Sequence, residues 1–84
     1  MGRHERLIRR ILSGHADASI PFPELCSLLQ SLGFEMRVSG SHHIFRKEGI
    51  EEKINLQQDG NQAKPYQVRQ VRHVLLKYKL GGQQ

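Results

Sequence analysis

The first part of the chain carries two runs of apolar residues at helical spacing. Residues 3–13 place leucines and isoleucines among four arginines, which predicts a basic amphipathic helix that ends at Gly14. Residues 14–21 are mostly small and polar and predict a linker. A leucine-rich stripe over residues 22–32 predicts a second helix, with Gly33 immediately beyond its end.

The pattern then changes from helical spacing to alternation of apolar and polar residues. Residues 34–39 alternate in this way and predict a first strand. Residues 42–47 resume as a second strand after the turn, and residues 52–57, in which Ile54 and Leu56 alternate with polar residues, predict a third. Gly40 and Ser41 form a two-residue connection with glycine first, typical of a type II′ hairpin turn. Residues 59–61 predict a loop before the last helix.

A last helix is predicted to begin at Pro65 and to end before Gly81-Gly82, with a buried face of valines and leucines. The order α-β-β-β-α, preceded by an extra N-terminal helix, predicts an α+β fold. Its three-stranded antiparallel sheet would carry the helices on one face. Double-stranded RNA-binding domains share this order. The division predicted is a helical extension and linker at 1–20, a folded domain at 21–80 and a flexible tail at 81–84.

The turn at Gly40-Ser41 also predicts which side chains share a face of the sheet. It pairs Ser39 with His42, and paired residues lie on the same face. The side chains expected to point toward the helices are Phe34, Met36, Val38, His43 and Phe45. The opposite surface, called the open face below, is expected to carry Arg37, Ser39, His42, Ile44, Arg46, Lys53, Asn55 and Gln57.

The charge balance narrows the class of partner. The 84 residues include 13 Lys+Arg and 8 Asp+Glu, for a net charge of +5, which favours a polyanion such as nucleic acid. No apolar run approaches the roughly 20 residues of a membrane span, so no membrane partner is expected. Cys26, the only cysteine, lies in an apolar run and is expected to be a buried, inert thiol in a reducing cytoplasm.

His42 is the candidate for proton transfer on the open face. Cleavage of RNA needs a base for the ribose 2′-hydroxyl proton and cations for the charge that develops on the phosphate. Histidine performs proton transfer near neutral pH. Because neighbouring strand residues face opposite ways, His43 is not expected to share the phosphate. The register alone also allows His42 to be an ordinary surface histidine.

Phosphate contacts are expected from cations and from the turn. The candidate RNA-binding residues are Arg37, Ser39, Gly40, Ser41, Arg46 and Lys53, together with Arg69 and Arg72 on the last helix. No metal or other cofactor is expected, because no carboxylate or cysteine accompanies the adjacent histidines at ligand spacing.

The run Gly40-Ser41-His42-His43-Ile44-Phe45 follows a leucine-rich helix that ends at Gly33-Phe34. With the closing helix, rich in valine, leucine and basic residues, it resembles the HicA family of toxin–antitoxin ribonucleases. The similarity covers about residues 22–80. It implies a double-stranded-RNA-binding-like fold and ribosome-independent cleavage of mRNA, with His42 as the catalytic histidine. It also implies a HicB-type antitoxin that covers the active site.

Two departures from the family accompany this resemblance. Residues 1–20 extend beyond the minimal toxin, and residues 57–60 stand where many relatives have a loop with histidine and proline. The sequence is compatible with three functions. They are an endoribonuclease toxin, a non-catalytic RNA-binding module in which His42 only contacts RNA, and an interaction domain for an acidic protein.

Overall fold

The structure is a computed structural model that describes residues 2–80. Its helices are α1 (Arg3–Ser13), α2 (Phe22–Ser31) and α3 (Pro65–Lys77), with a short 3-10 turn at Asp17–Ser19. Its strands are β1 (Glu35–Ser39), β2 (His42–Arg46), β3 (Ile54–Asp59) and β4 (Gln62–Ala63). The predicted tail and the helix end at Gly81-Gly82 lie outside the described residues.

The strands form one antiparallel sheet in the order β1-β2-β3-β4. The predicted register is confirmed, because Ser39 pairs with His42 and Phe45 pairs with Ile54. Gly40 has a φ of +61°, whereas the φ of Ser41 is not positive. A type II′ turn with glycine first requires this combination. The expected α+β class is therefore confirmed for these elements.

The prediction of three strands was wrong, because the sheet has a fourth. Gly60 has a φ of +63°, so the residues predicted as a loop form a second tight hairpin turn that begins with glycine. This turn returns Gln62–Ala63 onto the end of β3, where Asp59 pairs with Gln62. A strand of two residues is too short for alternation to show in the sequence.

All three helices share one hydrophobic core with the inner face of the sheet. Leu7, Ile8 and Ile11 of α1 are buried beside residues of α2, α3 and the strands, so the apolar stripe of the extension packs within the molecule. The remaining core side chains are Ile20, Phe22, Leu25, Cys26, Leu28, Leu29, Phe34, Phe45, Ile50, Ile54, Leu56, Ala63, Val68, Val71, Val74 and Leu75.

Met36 and Val38 lie on the predicted face of the sheet but remain outside the core. Their relative exposures are 39% and 54%, whereas Phe45, directly across from Met36, is fully buried. Every residue of β1 is exposed, since β1 is the edge strand of the sheet and the core side chains do not cover it. Alternation identified the face to which these residues point but not how far the helices reach over it.

The extension is fastened to the last helix by a charged contact. Arg72 donates to Asp17 Oδ1 at 2.8 Å and to the carbonyl oxygen of Ile11 at 2.9 Å. The hydrogen bond from Arg72 holds the pKa of the Asp17 carboxyl below its usual value. Ile20 is fully buried, so the predicted linker is packed against the core at its end.

A second charged cluster fastens the segment between β2 and β3 to the end of α3. Glu52 accepts hydrogen bonds from Lys77 at 2.8 Å and from the Tyr78 hydroxyl at 2.7 Å, and these contacts lower its pKa to about 2. Because the folded pKa is depressed, this contribution to stability is present above pH 4.5, the usual pKa, and is lost as the pH falls toward 2.

None of the helices in residues 2–80 has the length and apolar character that crossing a membrane requires.

We expect Phe45→Ala to lower the free energy of unfolding by about 3–5 kcal/mol, because it empties a fully buried site. The matched change Val38→Ala, on the same face of the sheet, is expected to cost less than about 1 kcal/mol, since Val38 is already exposed. Urea denaturation followed by circular dichroism measures both values. If both variants lost the same free energy of unfolding, the finding that Phe45 is buried while Val38 on the edge strand is exposed would be contradicted.

Candidate functional site

His42 stands on the open face at the start of β2, directly after the Gly40-Ser41 turn, and its side chain is exposed. Its Nδ1 lies 3.1 Å from Asn55 Oδ1 on the neighbouring strand. An amide oxygen can only accept a hydrogen bond, so Nδ1 of the neutral imidazole is the donor. The other ring nitrogen, Nε2, then keeps a lone pair that can take up a proton.

Gln57 lies opposite His42 in the register and links two further polar side chains to this position. Its Nε2 donates to Ser41 Oγ at 3.1 Å, and its Oε1 accepts from Lys64 Nζ at 3.2 Å. We call the contacts of Ser41, Gln57 and Lys64 the Gln57 bridge. The bridge gathers a hydroxyl, an amide and an ammonium group around the strand position that faces His42.

A buried side chain on α3 holds the backbone of Gln57 in place. The backbone N–H of Gln57 donates to Gln67 Oε1 at 2.9 Å, and Gln67 on α3 is only 4% exposed. The short strand β4 pairs with the next residues of β3, and Lys64 follows it as the N-cap residue of α3. The position of Lys64 relative to β3 is therefore fixed by both the sheet and the helix.

The cations of the strands are spread along the open face. Arg37 pairs with Ile44, two residues from His42 along β2, and Arg46 lies a further two residues away. Arg46 and Lys53 are exposed and meet at the far end of the sheet. There they line a shallow depression with four other residues, Glu35, Met36, Arg37 and Ile44. Arg37 thus lies midway between the positions of His42 and Arg46 along β2, whereas Arg46 and Lys53 lie at the end of the sheet away from His42.

His43 lies on the helix side, as the alternation predicts. Its ring packs edge-on against Phe22, with the ring centroids 4.9 Å apart, and its Nδ1 is buried without a hydrogen-bond partner. The two neighbouring histidines are thus on opposite faces of the sheet and do not form one site.

Arg69 and Arg72 are not brought to the open face. Arg72 is half-buried and donates to Asp17 and Ile11, so the structure gives it a role in holding the extension. Arg69 is exposed on α3 and is near enough to Asp17 to lower the pKa of that carboxyl. The other predicted RNA-binding residues all lie on the open face or in its turn.

The comparison with known protein families gives a match over the part of the chain that builds this surface. The family described as HicA toxin of bacterial toxin-antitoxin matches residues 22–78, which is more than half of the chain. The chain belongs to the HicA toxin family. The match runs from α2 to the end of α3 and includes both His42 and Lys64. No curated protein and no solved structure matches the chain.

Membership in the HicA toxin family makes the chain a toxin of a toxin–antitoxin system and implies a cognate antitoxin.

Within residues 2–80, no three His, Cys, Asp or Glu side chains are grouped so that they could hold a metal ion. Burial raises the pKa of the Cys26 thiol to about 11, which leaves it protonated at neutral pH. Of the five histidines in the sequence, His42 is the one that lies on the open face within the sheet.

Lys64, whose Nζ contacts Gln57 on the open face, was not among the residues predicted from the sequence. Because residues 59–61 were interpreted as a loop, the second hairpin, which places Lys64 next to β3, was not predicted. A signal was present, since Gly60-Asn61 repeats the glycine-first pattern of Gly40-Ser41 and predicts a returning strand at Gln62.

We expect Asn55→Ala to shift the neutral imidazole of His42 away from the Nδ1-protonated tautomer, because the amide oxygen that holds this proton is removed. Nitrogen NMR of the histidine rings measures the tautomer directly. Asn61→Ala changes the asparagine of the second hairpin turn, which forms no hydrogen bond with the His42 ring, so it is the matched control and should leave the His42 signals in place. The same tautomer in wild type and Asn55→Ala would show that Asn55 does not orient the ring.

Proposed function

We propose that this HicA-family chain is an endoribonuclease that cleaves mRNA with His42 as its single catalytic histidine and without a metal ion. The observation that carries the proposal is the placement of His42, exposed beside the hairpin turn with Nδ1 hydrogen-bonded to Asn55. The basic open face supports RNA as the substrate, since cations that contact phosphates dominate affinity for nucleic acid.

The proposed reaction begins when Nε2 of His42 removes the proton from a ribose 2′-hydroxyl group. The 2′-oxygen forms a bond to the adjacent phosphorus, and the bond from phosphorus to the 5′-oxygen of the next nucleotide breaks. The products are a 2′,3′-cyclic phosphate and a 5′-hydroxyl end. Because His43 points to the other face, we propose that the leaving 5′-oxygen takes its proton from water.

The remaining open-face residues are proposed to hold the RNA strand. Arg37, Arg46 and Lys53 would contact successive backbone phosphates, while Ser39, Gly40 and Ser41 would approach the strand at the turn. Arg69 is exposed and could contact RNA only on the helix side, where Arg72 already engages Asp17. We therefore place the path of the RNA along the sheet and across the two tight turns.

We expect His42→Ala to lower the rate of RNA cleavage by about 10²–10⁴-fold, the usual contribution of a positioned general base, and to abolish growth arrest. Its fold should persist, because removal of an exposed side chain costs little stability. His43→Ala is the matched control and should keep substantial activity if it remains folded. The measurements are gel analysis of RNA fragments and circular dichroism.

Full activity in a folded His42→Ala protein would contradict the assignment of the catalytic residue. Equal loss in folded His43→Ala would show that both histidines serve the reaction. If the wild-type protein retains RNA but leaves it intact, the chain is a non-catalytic RNA-binding module. If it neither retains nor cuts RNA, an interaction domain for an acidic protein is favoured.

We also propose that the cognate partner is a HicB-like antitoxin that covers the open face. A surface that attracts phosphates through Arg37, Arg46 and Lys53 equally suits carboxylates of an acidic protein. Pairing of opposite charges accelerates association and weakens as salt screens it. Coverage of His42 would prevent RNA from reaching the imidazole.

In a complex of the two purified proteins, we expect His42 to be protected from chemical modification and RNA cleavage to fall with added antitoxin. Raising the salt concentration should slow the association of the two proteins. Modification of His4, which lies on α1 and is only half-buried, serves as the internal control. A stable complex that cuts RNA at the rate of the free toxin, with His42 still reactive, would contradict inhibition by coverage.

A further inference from the structure

A cation must lie close to the phosphate that reacts at His42, and the register makes Arg46 and Lys53 poor candidates. Strand residues are separated by about 3.3 Å, so Arg46 lies about 13 Å along β2 from His42. Lys53 precedes β3 beyond Ile54, which pairs with Phe45, so it belongs to the same distant end. Arg37 is nearer, diagonal to His42 across β1 and β2.

Lys64 is the cation that the structure brings to the strand position facing His42. Its Nζ lies 3.2 Å from Gln57 Oε1, and Gln57 pairs with His42 in the register. Residues directly opposite in an antiparallel pair have Cβ atoms about 4.5–5.5 Å apart. An ammonium group bound to the end of the Gln57 side chain is therefore within reach of a phosphate at His42.

The charge of Lys64 is not neutralised by an acidic side chain. The ion pairs found within residues 2–80 join Arg72 to Asp17 and Lys77 to Glu52. Lys64 instead donates to a neutral amide. An ammonium group has three donors, and the Gln57 bridge uses one of them, so two remain for another acceptor. A half-buried lysine whose neutral partner, Gln57, lies opposite a candidate base is suited to bind an anionic oxygen.

We propose that Lys64 is a catalytic residue of the RNA cleavage proposed above, binding the non-bridging oxygens of the scissile phosphate. This inference rests on the proposed function. When the 2′-oxygen attacks phosphorus, negative charge accumulates on these oxygens, and a cation held in place stabilises it. Lys64 keeps its proton throughout, while the 2′-hydroxyl proton passes to His42. Arg46 and Lys53 hold phosphates farther along the strand.

Gln57 is then a positioning residue for Lys64. Its amide oxygen accepts from Lys64, and its amide nitrogen donates to Ser41 Oγ. Since Ser41 accepts this hydrogen bond through its oxygen, its own hydroxyl hydrogen remains available to donate. The Gln57 bridge would thus present an ammonium group and a hydroxyl group to the same phosphate.

The test compares the kinetics of the full chain with those of Lys64→Met and Lys53→Met on one RNA oligonucleotide. Both changes remove one positive charge and keep an unbranched stem. We expect Lys64→Met to lower kcat by about 10²–10³-fold, the usual effect of losing one group that stabilises the transition state. Lys53→Met should act mainly on KM, and Lys64→Arg should recover part of the lost kcat. Gln57→Ala should lower kcat less than Lys64→Met does.

Binding measurements distinguish a loss of catalysis from a loss of RNA affinity, and circular dichroism detects a loss of folding. The 2′-O-methyl form of the oligonucleotide lacks the nucleophile, and we expect it to bind Lys64→Met within about tenfold of wild type, with unchanged circular dichroism. If Lys64→Met does not fold, Lys64→Gln replaces it, because glutamine removes the charge and keeps a polar side chain. An unchanged kcat in folded Lys64→Gln would overturn the role of Lys64.

The two proposals fail in different ways. Wild-type cleavage that depends on His42, with an unchanged kcat in folded Lys64→Met, would overturn the role of Lys64 and leave the proposed function standing. A wild-type protein that does not cleave RNA would overturn the proposed function and, with it, the catalytic role of Lys64.

Discussion

The pairing of β1 with β2 through the Gly40-Ser41 turn determines which face of the sheet His42 and the other side chains of these two strands occupy. A slip of one residue in this register would send His42 to the helices and turn the side chain of Phe45 toward solvent. Such a slip would cost the burial of a complete phenylalanine side chain, so the core and the turn select the same register. The placement of the candidate chemistry on the open face is thus a consequence of packing on the opposite face.

Stability and chemistry are divided between the two faces of the sheet. On the inner face, the three helices bury the apolar side chains, and two ion pairs fasten the extension and the segment before β3 to α3. On the open face, polar and cationic side chains remain exposed, and the contacts there are hydrogen bonds that orient His42 and Lys64. This division allows a small chain to expose a basic surface without weakening its core.

Much of this arrangement could be predicted from the sequence, and the failures have physical causes. The positions of α1, α2, α3 and the first hairpin followed from apolar periodicity and from a turn that requires glycine. The exposure of Val38 could not be predicted, because alternation reports the direction of a side chain and not the extent of the helices above it. Arg72 looked like a surface cation because its partner, Asp17, is distant in sequence. Lys64 was missed with β4, because two residues are too few for alternation to show and the remaining signal was the glycine-first turn at Gly60-Asn61.

In the proposed reaction, RNA is cut through its own 2′-hydroxyl group at the His42 site. The most direct measurement uses an oligonucleotide with a known cleavage position and a copy that carries one 2′-O-methyl group at the nucleotide on the 5′ side of that position. We expect the wild-type protein to cut the unmodified strand, leaving a 2′,3′-cyclic phosphate, and to bind the modified strand without cutting that linkage. Cleavage at the blocked linkage would contradict this mechanism, because no 2′-hydroxyl proton would then be available for His42 to remove.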